Sequence, residues 1–167
     1  MDSIASFLPT LLLVGGIVVA LVLLSAVLGG GKDAYGTFAR TPLLNATERK
    51  LAGVLERAAR DTFGPTTRLL AQVSYGEFVK GGDRSAQARI NQKRADFVLV
   101  DGAFEVLCVV EYQGRGHHGS SREDRADAEH RDKVKRAACA SAGIPLVEVP
   151  PKFDAGSVAK LLAAVRR

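Results

Sequence analysis

Two acidic residues, each at the end of an apolar run, carry the most specific chemistry in this chain. Within RADFVLVDGAFEVLCVVEYQ, residues 94–113, Asp96 heads one run and Glu111 closes the next. Asp101-Gly102 between them is a turn signal, so the runs are expected to pair as a hairpin that returns both carboxylates to the same rim of a sheet. Two carboxylates converging there can hold one hard divalent cation, because Mg²⁺ takes oxygen ligands and keeps several of its waters, with Mn²⁺ as a substitute. Gln113 follows Glu111 by two residues and completes the acidic-x-polar ending of the strand.

The surrounding pattern supplies the elements that must hold these groups. Asn45–Asp61 reads as an amphipathic helix capped by Asn45 or Thr47, with Leu51, Val54, Leu55 and Ala58 on one face. Leu69–Val79 reads as a strand broken near its end by Gly76, and Gly81–Lys93 as a polar, basic loop or one helical turn. Phe97–Asp101 and Phe104–Glu111 are the hairpin strands; the second is apolar on both faces from Val106 to Val110 and is expected at the sheet centre. A long helix over Arg122–Ala142 is closed by Gly143, a buried strand over Ile144–Val149 is stopped by Pro150-Pro151, and a last helix covers Ala155–Arg167. The order αβββαβα predicts an antiparallel meander followed by a helical crossover to a parallel strand.

The N-terminus is spent on something else. Phe7–Leu28, FLPTLLLVGGIVVALVLLSAVL, is uncharged and almost wholly apolar, and as a helix it spans roughly 33 Å against a hydrocarbon core of about 30 Å. A transmembrane anchor within residues 1–31 is expected, then a linker at 32–43 and a folded domain at 44–167. A cleaved signal peptide fits less well, because no basic residue precedes the run and the run is longer than the roughly 15 residues such segments use. Lys32, Arg40, Lys50 and Arg57 all follow the run, which places a single-pass protein in the inner or plasma membrane with its C-terminal domain in the cytoplasm. Cys108 in an apolar strand and Cys139 in an alanine-rich helix read as small buried hydrophobes, consistent with a reducing compartment and with neither a disulfide nor a zinc site.

An αβββαβ core with an acidic residue opening the second strand and E-x-(K/Q) closing the third resembles the PD-(D/E)xK nuclease superfamily. Within it the chain is similar to the DUF2726 family. The matching fragments are Thr47-Glu48-Arg49-Lys50, Gln72-Val73, Lys93-Arg94-Ala95-Asp96-Phe97-Val98-Leu99, Glu111-Tyr112-Gln113, His117-His118, Arg131-Asp132 and Gly143-Ile144-Pro145-Leu146. Together they cover nearly all of residues 43–150. The resemblance implies an α/β, restriction-endonuclease-like core, a mixed central sheet flanked by helices. It also implies Mg²⁺-dependent phosphodiester hydrolysis in which Asp96 and Glu111 are the metal ligands and a water is the nucleophile. The superfamily places a lysine where Gln113 stands, so the positive charge has to come from elsewhere. Lys135, four residues after Arg131 on the long helix, is the candidate, and Lys93 lies three residues before Asp96. Glu48 occupies a position where related nucleases sometimes carry a further acidic ligand, although at a helix start it also serves the helix dipole.

Each of these residues has a plainer reading. Asp96 can pair with Lys93 or Arg94, and Glu111 can be an exposed strand terminus. Arg131, Lys133, Lys135 and Arg136 can form a solvated helix face. His117 and His118, in GRGHHGSS, can contact phosphate, position a water or simply belong to a polar loop.

Net charge is +5. Lys93, Arg94, Arg115, His118 and Arg131 around an acidic pocket suit a nucleic-acid backbone, DNA in the first instance, as a partner, although the same cations near a bilayer are drawn to anionic lipid. With no Trp and only three Tyr, a stacking platform for single strands is not expected. Two functions stay open: a membrane-anchored nuclease, or a catalytically inactive nuclease-fold module binding nucleic acid or a protein at the membrane. A nucleotide-cofactor enzyme is disfavoured, since neither G-x-G-x-x-G nor a Walker A motif occurs.

Overall fold

The computed structural model describes residues 8–28, 36–114 and 122–166, with side chains described from 12 to 24 in the first helix and from 126 onward in the fourth. The chain divides into two compact units, Met1–Thr41 and Pro42–Arg167. The first contains helix α1, Leu8–Leu28, whose large side chains between Leu12 and Leu24 are exposed. Taken over the described residues, no helix is long and apolar enough to cross a membrane. The anchor expected from the sequence begins and ends in side chains outside that set, at 7–11 and 25–28.

The second unit is an α/β fold built from α2 (Ala46–Phe63), β1 (Arg68–Ser74), a 3₁₀ turn (Tyr75–Glu77), α3 (Arg84–Asn91), β2 (Arg94–Val100), β3 (Val106–Tyr112), α4 (Arg122–Ala142), β4 (Leu146–Val149) and α5 (Ala155–Val165). The four strands form one mixed sheet in the order β1-β2-β3-β4. The first two pairings are antiparallel and the last is parallel, as a meander followed by a helical crossover requires.

β3 is interior, and its apolar run is explained by burial on both faces. Cys108 and Val110 point with Phe97, Leu99 and Val149 into a core closed by Leu51 and Leu55 of α2 and Val158 and Leu162 of α5. Val109 faces the other way, with Val98, Tyr75, Ile90 of α3 and Cys139 of α4.

Helix α2 starts at a reciprocal cap. Asn45 Oδ1 accepts the Thr47 and Glu48 amides, each at 2.9 Å, and Glu48 Oε2 accepts the Asn45 amide at 2.8 Å. That assigns the cap to Asn45, and the nearly buried Glu48 carboxylate is used there. The long crossover helix α4 ends in a Schellman motif: Gly143 sits at φ +66°, its amide bonds to Ala140 O, and the Ile144 amide bonds to Cys139 O. Ile144 is consumed in this reversal, so β4 begins at Leu146, later than the expected Ile144.

Beyond shifts of two or three residues at strand ends, as where β2 begins at Arg94 rather than Phe97 and β3 at Val106 rather than Phe104, two elements differ from the sequence reading. The expected strand to Val79 stops at Ser74, because the chain turns at Tyr75–Glu77 against α3; a Cβ on Gly76 would lie 2.5 Å from Asn91 Oδ1. The segment 81–93, expected as a loop or one helical turn, contains a helix of 8 residues, about two turns, started by the Asp83 carboxylate on the Ala86 amide at 2.8 Å and held to the core by Ile90.

If Glu48 is a cap residue, Asn45→Ala should lower the unfolding free energy by about 1 kcal/mol, whereas Glu48→Gln, whose amide oxygen can still accept the Asn45 N–H, should cost clearly less. Chemical denaturation of the two variants beside the parent chain measures both.

Candidate active site

The β2–β3 hairpin brings the two acids together. Phe97 pairs with Val110, and one further step of that register sets Asp96 opposite Glu111, on the same side of the sheet. Here the backbone ladder gives way to a side chain: Asp96 Oδ2 accepts the Tyr112 amide at 2.8 Å. Asp96 Oδ1 is left without a hydrogen-bond partner among the described residues, and Asp96 and Glu111 both line a cleft of about 100 Å³. Such a volume has room for several waters.

Glu111 is the more deeply held of the two, its side chain only 11% exposed. Its Oε2 receives the Lys135 ammonium at 2.7 Å, and its Oε1 the hydroxyl of the fully buried Tyr75 at 3.0 Å. The Lys135 ammonium also lies 5.8 Å from the centre of the Tyr75 ring, within cation–π range. Burial pushes the Glu111 carboxyl from an ordinary 4.5 up to about 7; Lys135 pulls against this, the Asp96 charge adds to it, and the Tyr75 hydroxyl opposes it. Burial also drives the Tyr75 hydroxyl well above its usual range, so it stays protonated and acts as a donor.

The far wall is α4. Ala128, Arg131, Asp132 and Lys135 line the cleft, and their spacing of three, four and seven residues is that of one helix face. The basic residues of this helix divide by direction. Lys133 pairs in solvent with Glu129 at 2.9 Å, and Arg136 reaches Glu148 of β4 at 2.7 Å. Lys135 and the exposed Arg131 turn to the cleft. The plainer reading, a solvated helix face, therefore holds for Lys133 and Arg136 and not for Lys135.

Gln113 lines the cleft, but its side-chain amide donates to Glu148 Oε1 at 3.2 Å, toward β4. Lys93 and Arg94 do not line the cleft: the Lys93 carbonyl accepts the Tyr75 amide at 2.8 Å, and Arg94 is exposed beside Ser74 of β1. Neither is paired with Asp96, contrary to its plainer reading. Arg115, His117 and His118 lie outside the described residues. Two members of the site were not singled out from sequence. Tyr75 offers no sequence signal, being a lone aromatic after a strand; Asp132 stood in the matching Arg131-Asp132 fragment but was given no role, although its helical spacing from Lys135 puts it on the same face.

The donor set suits a hard cation. Each carboxylate oxygen has two lone pairs, so Glu111 retains acceptor capacity beyond its bonds to Lys135 and Tyr75, and Asp96 Oδ1 is open. Among the described residues no group of three or more His, Cys, Asp or Glu that could hold a metal ion gathers.

A family model described as "Protein of unknown function (DUF2726)" matches residues 40–164. An uncharacterized protein of Haemophilus influenzae is 38% identical over 116 residues, covering 70% of this chain and 57% of that protein. The uncharacterized protein y4bI of Sinorhizobium fredii is 41% identical over 115 residues, covering 68% of this chain and 77% of the relative. This chain thus aligns with little more than half of the Haemophilus protein. No solved structure matches.

The raised Glu111 carboxyl has a measurable sign. The folded chain holds this proton more tightly than the unfolded chain, so the stability it contributes is complete below pH 4.5 and is lost as pH rises through about 7. Relative to Glu111→Gln, the parent chain should lose up to about 3 kcal/mol of unfolding free energy across that window. Denaturant unfolding at several pH values gives the difference, and parallel profiles would refute it.

Proposed function

This chain belongs to the DUF2726 family, a family of unknown function, and from its own residues we propose that it carries a divalent-cation site for phosphodiester hydrolysis, with DNA as the first substrate to test. The observation that carries this reading is Lys135, whose ammonium stands 2.7 Å from Glu111 in the cleft shared with Asp96. The positive charge that the PD-(D/E)xK pattern puts two residues after its acid is here supplied from a helix.

Asp96 and Glu111 would hold Mg²⁺ or Mn²⁺. When bound, the ion would neutralise charge on a phosphate and lower the pKa of a water. The chain's own groups do the rest. Tyr112 N–H and the Tyr75 hydroxyl fix the two carboxylates, so they need no reorganisation to receive a cation. Lys135 adds a preorganised positive charge beside them, and exposed Arg131 at the rim is suited to pairing with phosphate oxygens. The N-terminal run supports a membrane tether, with the flanking basic residues favouring a cytoplasmic domain. Gln113, engaged by Glu148, favours the second reading, a catalytically silent module that still binds nucleic acid.

Incubation of the purified chain with plasmid and linear DNA plus Mg²⁺ or Mn²⁺ separates the two. Cleavage is expected, abolished by Asp96→Ala or Glu111→Ala and reduced at least about 100-fold by Lys135→Ala. Intact DNA with binding retained would select the silent module. In a calorimetric titration with Mn²⁺, heats unchanged by the double substitution Asp96→Ala/Glu111→Ala would exclude the site itself. The tether predicts that the chain stays with membranes through an alkaline carbonate wash, and that deleting residues 1–31 releases it.

A further inference from the structure

Strands β1 and β2 keep a single register throughout, yet both change face at one step. Leu69 and Ala71 pack on the α2/α5 side with their partners Leu99 and Phe97. Val73 and its partner Ala95 pack instead on the α3/α4 side, with Leu70 and Val98. Residues two apart on a continuous pleat share a face, so Ala71 and Val73 should agree, and they do not. Between them stands Gln72, at φ +56°. It is skipped in the pairing of the two strands, and its place in the register falls opposite Asp96. Left-handed backbone is uncommon for a residue other than Gly, Asn or Asp and rarer still inside a strand.

Two consequences reach the cleft. Had the pleat continued, Val73 and Tyr75 would face α2 and α5; after the reversal Tyr75 faces α4, where its hydroxyl meets Glu111 at 3.0 Å. On the partner strand, Asp96 is released from the ladder with β1, and its carboxylate takes the Tyr112 amide. We propose that Gln72 is a positioning residue whose left-handed backbone, rather than its side-chain amide, orients both Tyr75 and Asp96 and so assembles the carboxylate pair. The proposal rests on Asp96 and Glu111 being the site, and its first test does not depend on metal binding.

Substitutions that tolerate positive φ are the rescue: Gln72→Gly and Gln72→Asn should leave the site intact, whereas β-branched Gln72→Val should disrupt it, with Gln72→Ala as the milder disruption if the valine variant does not fold. The first readout is hydrogen exchange at the Tyr112 amide, referenced to the core amide of Val109 so that global destabilisation cancels. Protection at Tyr112 should fall at least tenfold relative to Val109 in the valine or alanine variant and stay within twofold of the parent in the glycine and asparagine variants. The second is a Mn²⁺ titration of the same folded proteins, in which affinity should fall at least tenfold in step with that loss. Unchanged relative protection at Tyr112 in a folded valine or alanine variant would overturn the proposal, as would equal loss in the glycine variant. Loss of protection together with no Mn²⁺ binding by the parent chain would leave the positioning role standing and remove the metal reading.

Discussion

A carboxylate withdrawn from water is the constraint around which this domain is arranged. Taking an ion into a protein interior costs several kcal/mol unless it is paired and hydrogen-bonded, and Glu111 is paired by Lys135 and bonded by Tyr75. Each partner imposes a requirement. Lys135 requires α4 to cross the sheet with one face toward the end of β3. Tyr75 requires β1 to stop and turn its next residue under the same helix. The Schellman reversal at Gly143 then returns the chain so that β4 can cover the open side of β3. An ionic contact at the rim thus shares its supports with the apolar core beneath it.

The same economy is visible in the second acid. Asp96 stands where the β2–β3 ladder runs out, and its side chain accepts the amide that a backbone carbonyl would otherwise take. One oxygen satisfies the fold and the other is left open, on a residue that lines the cleft. A substitution here removes a structural acceptor and a potential ligand together, so loss of function at Asp96 alone does not separate the two roles. Exchange at Tyr112 does.

Much of this was legible in the residues. The double-sided apolar run of Val106–Val110 marked the central strand, Asp101-Gly102 marked the hairpin, and Gly143 marked the end of α4, because each signal is local and has one physical meaning. Lys135 could be nominated because the pattern of the third strand ended in a residue without charge. What escaped depends on tertiary contacts. A buried tyrosine hydroxyl has no signature until its acceptor is placed. Helix α3 carries a single anchoring residue, Ile90, too little for a period to show. The face reversal at Gln72 breaks the alternation on which strand reading relies, and glutamine is not a residue that advertises positive φ. Gln113 was nominated for its chemistry, but Glu148, brought alongside by the parallel pairing of β3 with β4, holds its amide.

The parallel closure of the sheet also sets an order of events on the ribosome. A chain that emerges from its N-terminus releases the β1–β2–β3 meander, with both carboxylates in it, before it releases Lys135, which lies 24 residues beyond Glu111. β4 comes later still, and until it docks, the outer edge of β3 is a row of unpaired amides and carbonyls flanked by valines. Unpaired apolar edges of this kind recruit other strands. The nascent domain therefore passes through a stage with its acids assembled, their counter-charge missing and its most apolar strand uncovered, and its yield in a cell is exposed to how quickly residues 122–149 follow.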